Sequence, residues 1–176
     1  MAATLVSPAF PLTFPWLLRR HIPPVLDIEQ TLPVPAWNEK DFLSALRSQG
    51  RIGKIALRGE EQVAGYMMYE LKRPSLELLR LAVHPGYRHC GVGAATVRHL
   101  MKKLTPHRRT RLKAVVPESC LDVLYLLRSM DLRAERLLRG HFNDQDGILM
   151  YYRLPEDDGG DEAEEATSDE VINEES

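Results

Sequence analysis

The chain has 176 residues, 44% hydrophobic and 27% charged, enough for one domain with its own core and no need of a metal or disulfide to hold it. Two cysteines, Cys90 and Cys120, argue against a disulfide framework and for a reducing, cytoplasmic setting, and no apolar run reaches the length of a membrane span. The net charge of −2 is uneven: residues 156–176 hold 11 of the 25 acids and no Lys or Arg, which leaves 14 acids against 23 bases, a net of +9, in residues 1–155. A body of that charge suits an anionic ligand, cofactor or partner, or is a solvated basic surface.

Residues 1–11 are apolar, lack a basic start and carry Pro8 and Pro11, with Pro15 following. They read as a lead-in and not as a secretion signal. A strand is expected over 12–19. A helix follows over 21–29, with Pro23 and Pro24 tolerated in its first turn. Thr31 to Ala36 is a proline-punctuated loop. Asn38, with Asp41 three residues on, reads as the cap of a second helix that Gly50 ends. Strands are expected over 51–58, 63–72 and 76–83, joined by short turns into an antiparallel meander. A helix over 91–104 presents Val97, Leu100, Met101 and Leu104 on one face. A strand over 111–116, a helix over 119–129 and a hairpin of 134–141 with 148–154 complete a mixed α/β domain around one sheet, spanning 12–155. The acidic segment 156–176 has too few apolar residues to offset the entropy of ordering it, so it is expected to be disordered.

The informative stretch runs from Leu81 to Ala95, where a strand enters a turn, the turn enters glycines, and Gly91 and Gly93 open a helix. Glycines let backbone approach a ligand closely, and a helix start points unpaired N–H groups outward; with Arg88 this is a nest for phosphates. A tight turn without a ligand has the same glycines. A Walker loop is absent. A dinucleotide fingerprint fails at Thr96, lacks its acid about 20 residues on, and follows the wrong strands.

Arg88-x-x-Gly91-x-Gly93-Ala94, after a strand ending Ala82-Val83-His84-Pro85, resembles the acetyl-CoA pyrophosphate loop of the GNAT N-acetyltransferase superfamily. The stretches Arg20 to Glu29 and Pro35 to Phe42 are similar, more narrowly, to its ribosomal-protein alanine N-acetyltransferase branch. The resemblance implies a mostly antiparallel sheet of about seven strands with about four helices. That sheet is splayed between its fourth and fifth strands, near Val83 and Val116, where acetyl-CoA enters. It implies that the backbone amides of Arg88, His89, Cys90, Gly91, Val92, Gly93 and Ala94 hold the pyrophosphate. The main chain of Leu81, Ala82 and Val83 then pairs with the pantetheine arm, and the Val83 amide polarises the thioester carbonyl. Trp37 on one side and His141 and Phe142 on the other flank the acceptor. The implied acceptor is a protein or peptide N-terminus, with ribosomal proteins as the protein class, attacking the thioester directly.

Set against that branch's pattern, its usual Glu base falls at Val115, its Asn on the cofactor arm at Cys120 and its Tyr acid at Leu127. Tyr125, two residues from Leu127, is about 200° away around a helix and does not substitute. Glu118 lies in the neighbouring loop and does not align with the base. Other branches place a Glu on the fourth strand, six residues before the position of Val83, which here is Glu77. Alternation puts Glu77 on one face with Leu79, Leu81 and Val83 unless a bulge breaks that phase, and a carboxylate among leucines suits a base, unless it pairs with an Arg or lies at the wet end.

His84 reads as a turn residue and His89 as a solvated loop side chain. Cys90 has no Cys–His–Asn arrangement around it. The basic run His107 to Lys113 lacks interleaved aromatics, so no specific nucleic-acid site is assigned, and no metal-ligand spacing occurs. Three hypotheses compete: an N-acetyltransferase acting on N-terminal amines or on a small amine, a catalytically impaired acetyl-CoA-binding scaffold or sensor, and a basic adaptor for RNA.

Overall fold

The computed structural model describes residues 7–155; the acidic segment 156–176 and residues 1–6 lie outside the described residues. The chain runs β1 (Leu12–Thr13), a 3-10 turn (Arg19–His21), α1 (Ile22–Glu29), α2 (Glu39–Arg47), β2 (Arg51–Arg58), β3 (Gln62–Leu71) and β4 (Ser75–Val83). A second 3-10 turn (Pro85–Tyr87) leads to α3 (Val92–Met101), β5 (Arg111–Pro117), α4 (Leu121–Ser129), β6 (Arg133–Phe142) and β7 (Gln145–Arg153).

The seven described strands form one sheet in the order β1-β2-β3-β4-β5-β7-β6. β2, β3 and β4 are the expected antiparallel meander. The only parallel pairing in this sheet is β4 with β5. The first strand is shorter than expected. Pro11 and Pro15 cannot donate to a ladder, so pairing with β2 is confined to Leu12–Thr13 and an isolated bridge from Trp16 to Lys54. The last hairpin is tighter than expected: β6 and β7 extend to Phe142 and Gln145, and Asn143 at φ +58° makes the turn. β7 sits inside, against β5, which leaves β6 as the edge. Its outward Arg133, Arg136 and Arg139 discourage pairing with another chain.

Helices cover both faces. On one face α1 and α2 bury Ile22, Val25, Ile28, Phe42 and Ala45 against Ile55, Tyr66, Met68 and Ala82. On the other, α3 and α4 bury Val97, Leu100 and Leu127 against Met67, Leu76, Leu78, Leu112 and Met150. The helix α2 starts where the sequence places it. Asn38 Oδ1 accepts from the Lys40 and Asp41 amides, while Asp41 Oδ2 accepts from the Asn38 amide at 2.8 Å. Such a cap is worth about 1 kcal/mol. It aims the fully buried Phe42 into the sheet, which adds roughly 2–3 kcal/mol.

Candidate active site

The sheet opens where a ligand could enter. β4 and β5 pair only from Ser75↔Arg111 to Leu78↔Ala114. Beyond that, the only strand that Arg80 to Val83 pair with is β3, and the only strand that Val115 to Pro117 pair with is β7. The opening begins at a bulge, since Met68 pairs Arg80 while Tyr69 pairs Leu78, so Leu79 is the inserted residue.

The ladder phase fixes which backbone groups line the gap. The His84 amide donates to Ala64 O at 2.8 Å, one step beyond the Gly65↔Val83 pair. Gly65↔Val83 is therefore a non-hydrogen-bonded pair, and the N–H and C=O of Val83 point away from β3 into the gap. Leu81 shares that direction. Ala82 has the opposite one, so its backbone serves the β3 ladder. Of the three residues expected to pair with a pantetheine arm, two therefore turn their backbone edges to the gap, with the Val83 carbonyl already accepting from Arg88 Nε.

At the mouth of the gap lies the turn before α3. His84 is a turn residue as expected, its Nδ1 accepting from the Gly86 amide at 3.0 Å. His89 at φ +58° and Gly91 at φ +81° both take the left-handed conformation, which in Gly91 costs no side-chain clash and turns the chain into the helix. Among the described residues, none of the six amides from His89 to Ala94 donates to an acceptor, and no side chain caps α3; helical bonding starts with Ala95 N–H to Gly91 O. Six unpaired N–H groups in a nest at a helix start fit a diphosphate. Gly93 faces α4, where a Cβ would stand 2.8 Å from Leu126 Cδ2 and 3.6 Å from Val83 Cγ2, so its lack of a side chain keeps the top of the gap narrow and smooth.

Arg88 is not part of that cradle in the way expected. Its amide turns to Pro85 O, its Nε donates to Val83 O at 3.2 Å, and its Nη2 donates to Thr31 Oγ1 at 2.8 Å. The guanidinium ties the turn to the end of β4 and to the loop after α1, instead of facing outward as a phosphate cation. Among the described residues the run of amides without an acceptor thus begins at His89. Cys90 lies in it, partly buried.

The bulge also changes the expected facing of Glu77. Leu76 and Leu78 pack with α3 and α4, which turns Glu77 to the α1–α2 face. After the bulge Leu79 and Ala82 pack on that same face, whereas Leu81 packs with the α3–α4 core. Glu77 is therefore out of phase with Leu81 and Val83 and stays on the α1–α2 face. It lies below the opening, level with Lys113, and accepts from Lys72 Nζ at 2.7 Å, which raises the lysine's pKa. On β5 the buried Leu112, Ala114 and Val116 alternate with Lys113 and Val115, so the position aligned with the missing base also turns to the α1–α2 face. Leu127 is fully buried and Tyr125 is 69% exposed, so the tyrosine points away from the core as its helical offset requires.

The two expected acceptor walls stand on either side. Trp37 packs edge-on against Phe42 at 5.2 Å. His141 and Phe142 meet edge-on at 4.8 Å and reach over β5, since a Cβ on Gly147 would meet Val115 Cγ1 at 2.8 Å, Phe142 Cε2 at 3.1 Å and His141 Cβ at 3.2 Å. Only a glycine there lets the hairpin close on Val115. Cys120, ahead of α4, has its thiol pKa raised by burial, partly offset by a hydrogen bond from Ser119 and by the charge of Arg80.

The sequence reading missed one group: Glu29 and Arg80. Glu29 is fully buried. Arg80 Nε donates to its Oε1 at 2.9 Å and Nη2 to its Oε2, and Nη2 also reaches Pro35 O at 2.8 Å. The Trp37 amide donates to Glu29 Oε2 at 2.7 Å, and the guanidinium lies 5.3 Å from the indole. An arginine inside the apolar run LELLRLAV needs an acid to face it, and that need was the available signal.

Residues 16–119 match the Acetyltransferase (GNAT) family. The ribosomal protein bS18-alanine N-acetyltransferase of Escherichia coli strain K12 is 26% identical over 127 residues, 72% of this chain and 84% of the relative. The crystal structure of an Escherichia coli ribosomal-protein alanine N-acetyltransferase superposes with a TM-score of 0.71 at 22% identity, over 82% of this chain and 94% of that one. Arabidopsis thaliana NAA60 in complex with acetyl-CoA gives 0.67 at 15% identity, over 81% and 98%. A spermidine N-acetyltransferase SpeG mutant from Vibrio cholerae gives 0.68 at 14% identity, over 81% and 93%. At these identities the structural likenesses establish the fold.

Proposed function

Because the chain belongs to the GNAT acetyltransferase family, whose acetyl donor is acetyl-CoA, we propose that it acetylates the α-amine at a protein N-terminus. The observation that carries the reading is the gap between β4 and β5, with six unpaired amides at its mouth and two N–H groups along its wall. Bound there, acetyl-CoA supplies an acetyl group activated as a thioester. The amides of His89 to Ala94 hold the diphosphate, and the gap-facing edges of Leu81 and Val83 hold the arm. An arm entering from the turn meets Val83 first and Leu81 second, so Leu81 joins Val83 as an N–H donor able to polarise a carbonyl deep in the gap.

Glu77 is the proton acceptor in this proposal. It is the ionisable carboxylate on the acceptor face of β4, and Lys72 holds it in place. With Val115 and Leu127 where the related branch has its base and acid, the acid–base assistance is weak. An α-amine with a pKa of about 7.7–8 is already roughly a tenth or more neutral at pH 7, whereas a lysine near 10.4 is neutral in about one molecule in 2,500. A weakly assisted site therefore suits an N-terminal amine better. The relative that acts on a ribosomal-protein alanine supports a ribosomal protein as acceptor, and the two free thiols suit a cytoplasmic setting.

The test is release of free CoA from acetyl-CoA over a panel of peptides varied at the first residue, with an Nα-blocked lysine peptide and spermidine as comparisons. Turnover with free N-termini and little with the other two is expected. Turnover with spermidine alone would make this a small-molecule enzyme. Acetyl-CoA raising the melting temperature with no turnover on any amine would leave a cofactor-binding sensor, the reading that Val115 and Leu127 favour.

A further inference from the structure

Arg80 carries more hydrogen-bonding capacity than the fold uses. A guanidinium has five N–H donors. Here Nε and Nη2 are spent on Glu29 and Pro35, while Nη1 has no acceptor among the described residues. The bulge at Leu79 places Arg80 on the acceptor face at the level where β4 and β5 part.

The side chain is also immobilised. Glu29 grips it from a fully buried position, Pro35 O takes a further N–H, and the Trp37 ring lies 5.3 Å from it. A donor fixed before binding loses little rotamer entropy when a ligand arrives. Glu29 cancels its net charge, so Nη1 offers directed donors without the pull of an unpaired cation. That combination suits a neutral oxygen better than a carboxylate or phosphate.

We propose that Arg80 is an acceptor-binding residue whose Nη1 donates to a main-chain carbonyl of the peptide being acetylated. The proposal rests on the N-terminal reading above and names the atom of the acceptor that the site grips. In such a peptide the first carbonyl carbon is two bonds from the reacting nitrogen, so holding its oxygen orients the amine. A simple amine has no such handle.

The experiment pairs an alanine-first peptide with its alkene isostere at the first peptide bond, which keeps the shape and removes the oxygen together with the adjacent N–H; all rates are compared per neutral amine, because losing the carbonyl makes the amine more basic. Wild type is expected to lose about tenfold or more in kcat/KM on the isostere, as for a lost hydrogen bond to a charged donor. Arg80→Lys keeps a cation against Glu29 but not the fork, and the double variant Glu29→Met with Arg80→Met removes both charges without leaving one buried and unpaired. In each, the peptide and its isostere are expected to be turned over at nearly equal rates, with the KM for acetyl-CoA unchanged. A purely structural role would lower both substrates by the same factor and keep the wild-type ratio, overturning the assignment. Equal rates on the two substrates in wild type overturn it as well, whether or not the variants fold, and leave the N-terminal reading intact. Failure of wild type to acetylate any peptide overturns both.

Discussion

Gly65 on β3 lies behind the strand that lines the gap, and adding one methyl there tests the site's geometry. Its Cβ would stand 2.7 Å from Ala82 O and 3.4 Å from Val83 Cα, both backbone atoms that cannot rotate away. β4 must then shift by several tenths of an ångström toward the gap. Overpacking of this kind costs about 1–3 kcal/mol. At about 2–4 °C per kcal/mol for a domain of this size, Gly65→Ala is expected to melt roughly 2–12 °C lower. Displacing Leu81 and Val83 by a fraction of an ångström should also weaken acetyl-CoA binding, by about tenfold if a 1 Å error costs about a hundredfold. Gly59→Ala is the control: its φ of +64° brings a strain of about 1–2 kcal/mol, but its Cβ meets nothing within 4 Å, so it should lower stability and leave acetyl-CoA affinity unchanged. Thermal unfolding and calorimetric titration read both quantities. If Gly65→Ala melts like wild type and binds acetyl-CoA equally well, the contact between β3 and the gap-lining strand is wrong.

Glu77→Gln is expected to lower kcat/KM about tenfold or more while leaving the melting temperature nearly unchanged, because its ion pair with the half-exposed Lys72 adds little stability; full activity in this variant removes Glu77 as the proton acceptor. His99 stacks on Phe14 at 4.5 Å with its Nε2 buried and unpartnered, and its pKa is lowered by burial and by Lys103, Lys54 and Lys102. Below about pH 6.5 the unfolded chain binds the extra proton first, so stability is full above that pH and falls as pH drops through it. Melting curves from pH 7.5 to 5 should show the fall, and His99→Gln should flatten it. Burial raises the Cys120 thiol pKa, so alkylation of Cys120, followed by mass spectrometry, should accelerate only at higher pH than for an ordinary free thiol; a rate matching a free thiol's would contradict its burial.

Local patterns made much of this molecule legible. The Asn38–Asp41 cap, the meander of β2 to β4 and the glycines before α3 are short-range features, each decided by neighbours in sequence. The features that local pattern does not show share a different origin. The bulge at Leu79 is a property of the β3–β4 pair, and a single inserted residue reverses every later side chain, which is why Glu77 and Leu81 part company. The bonds of Arg88 to Val83 and Thr31 likewise arise only after folding. The Glu29–Arg80 pair joins residues 51 positions apart, beyond any periodicity. The placement of β7 between β5 and β6 likewise depends on how the hairpin docks, not on its own sequence.

The central claim is that the amides before and at the start of α3 grip the diphosphate of a CoA thioester. Titrating the 15N-labelled protein with acetyl-CoA and following its amide resonances tests this directly. The account predicts that the largest saturable changes fall on His89 to Ala94, with Leu81 and Val83 next. Changes concentrated elsewhere, for example in the hollow lined by Phe10, Arg58 and Gln62, or no saturable change at all, would contradict it.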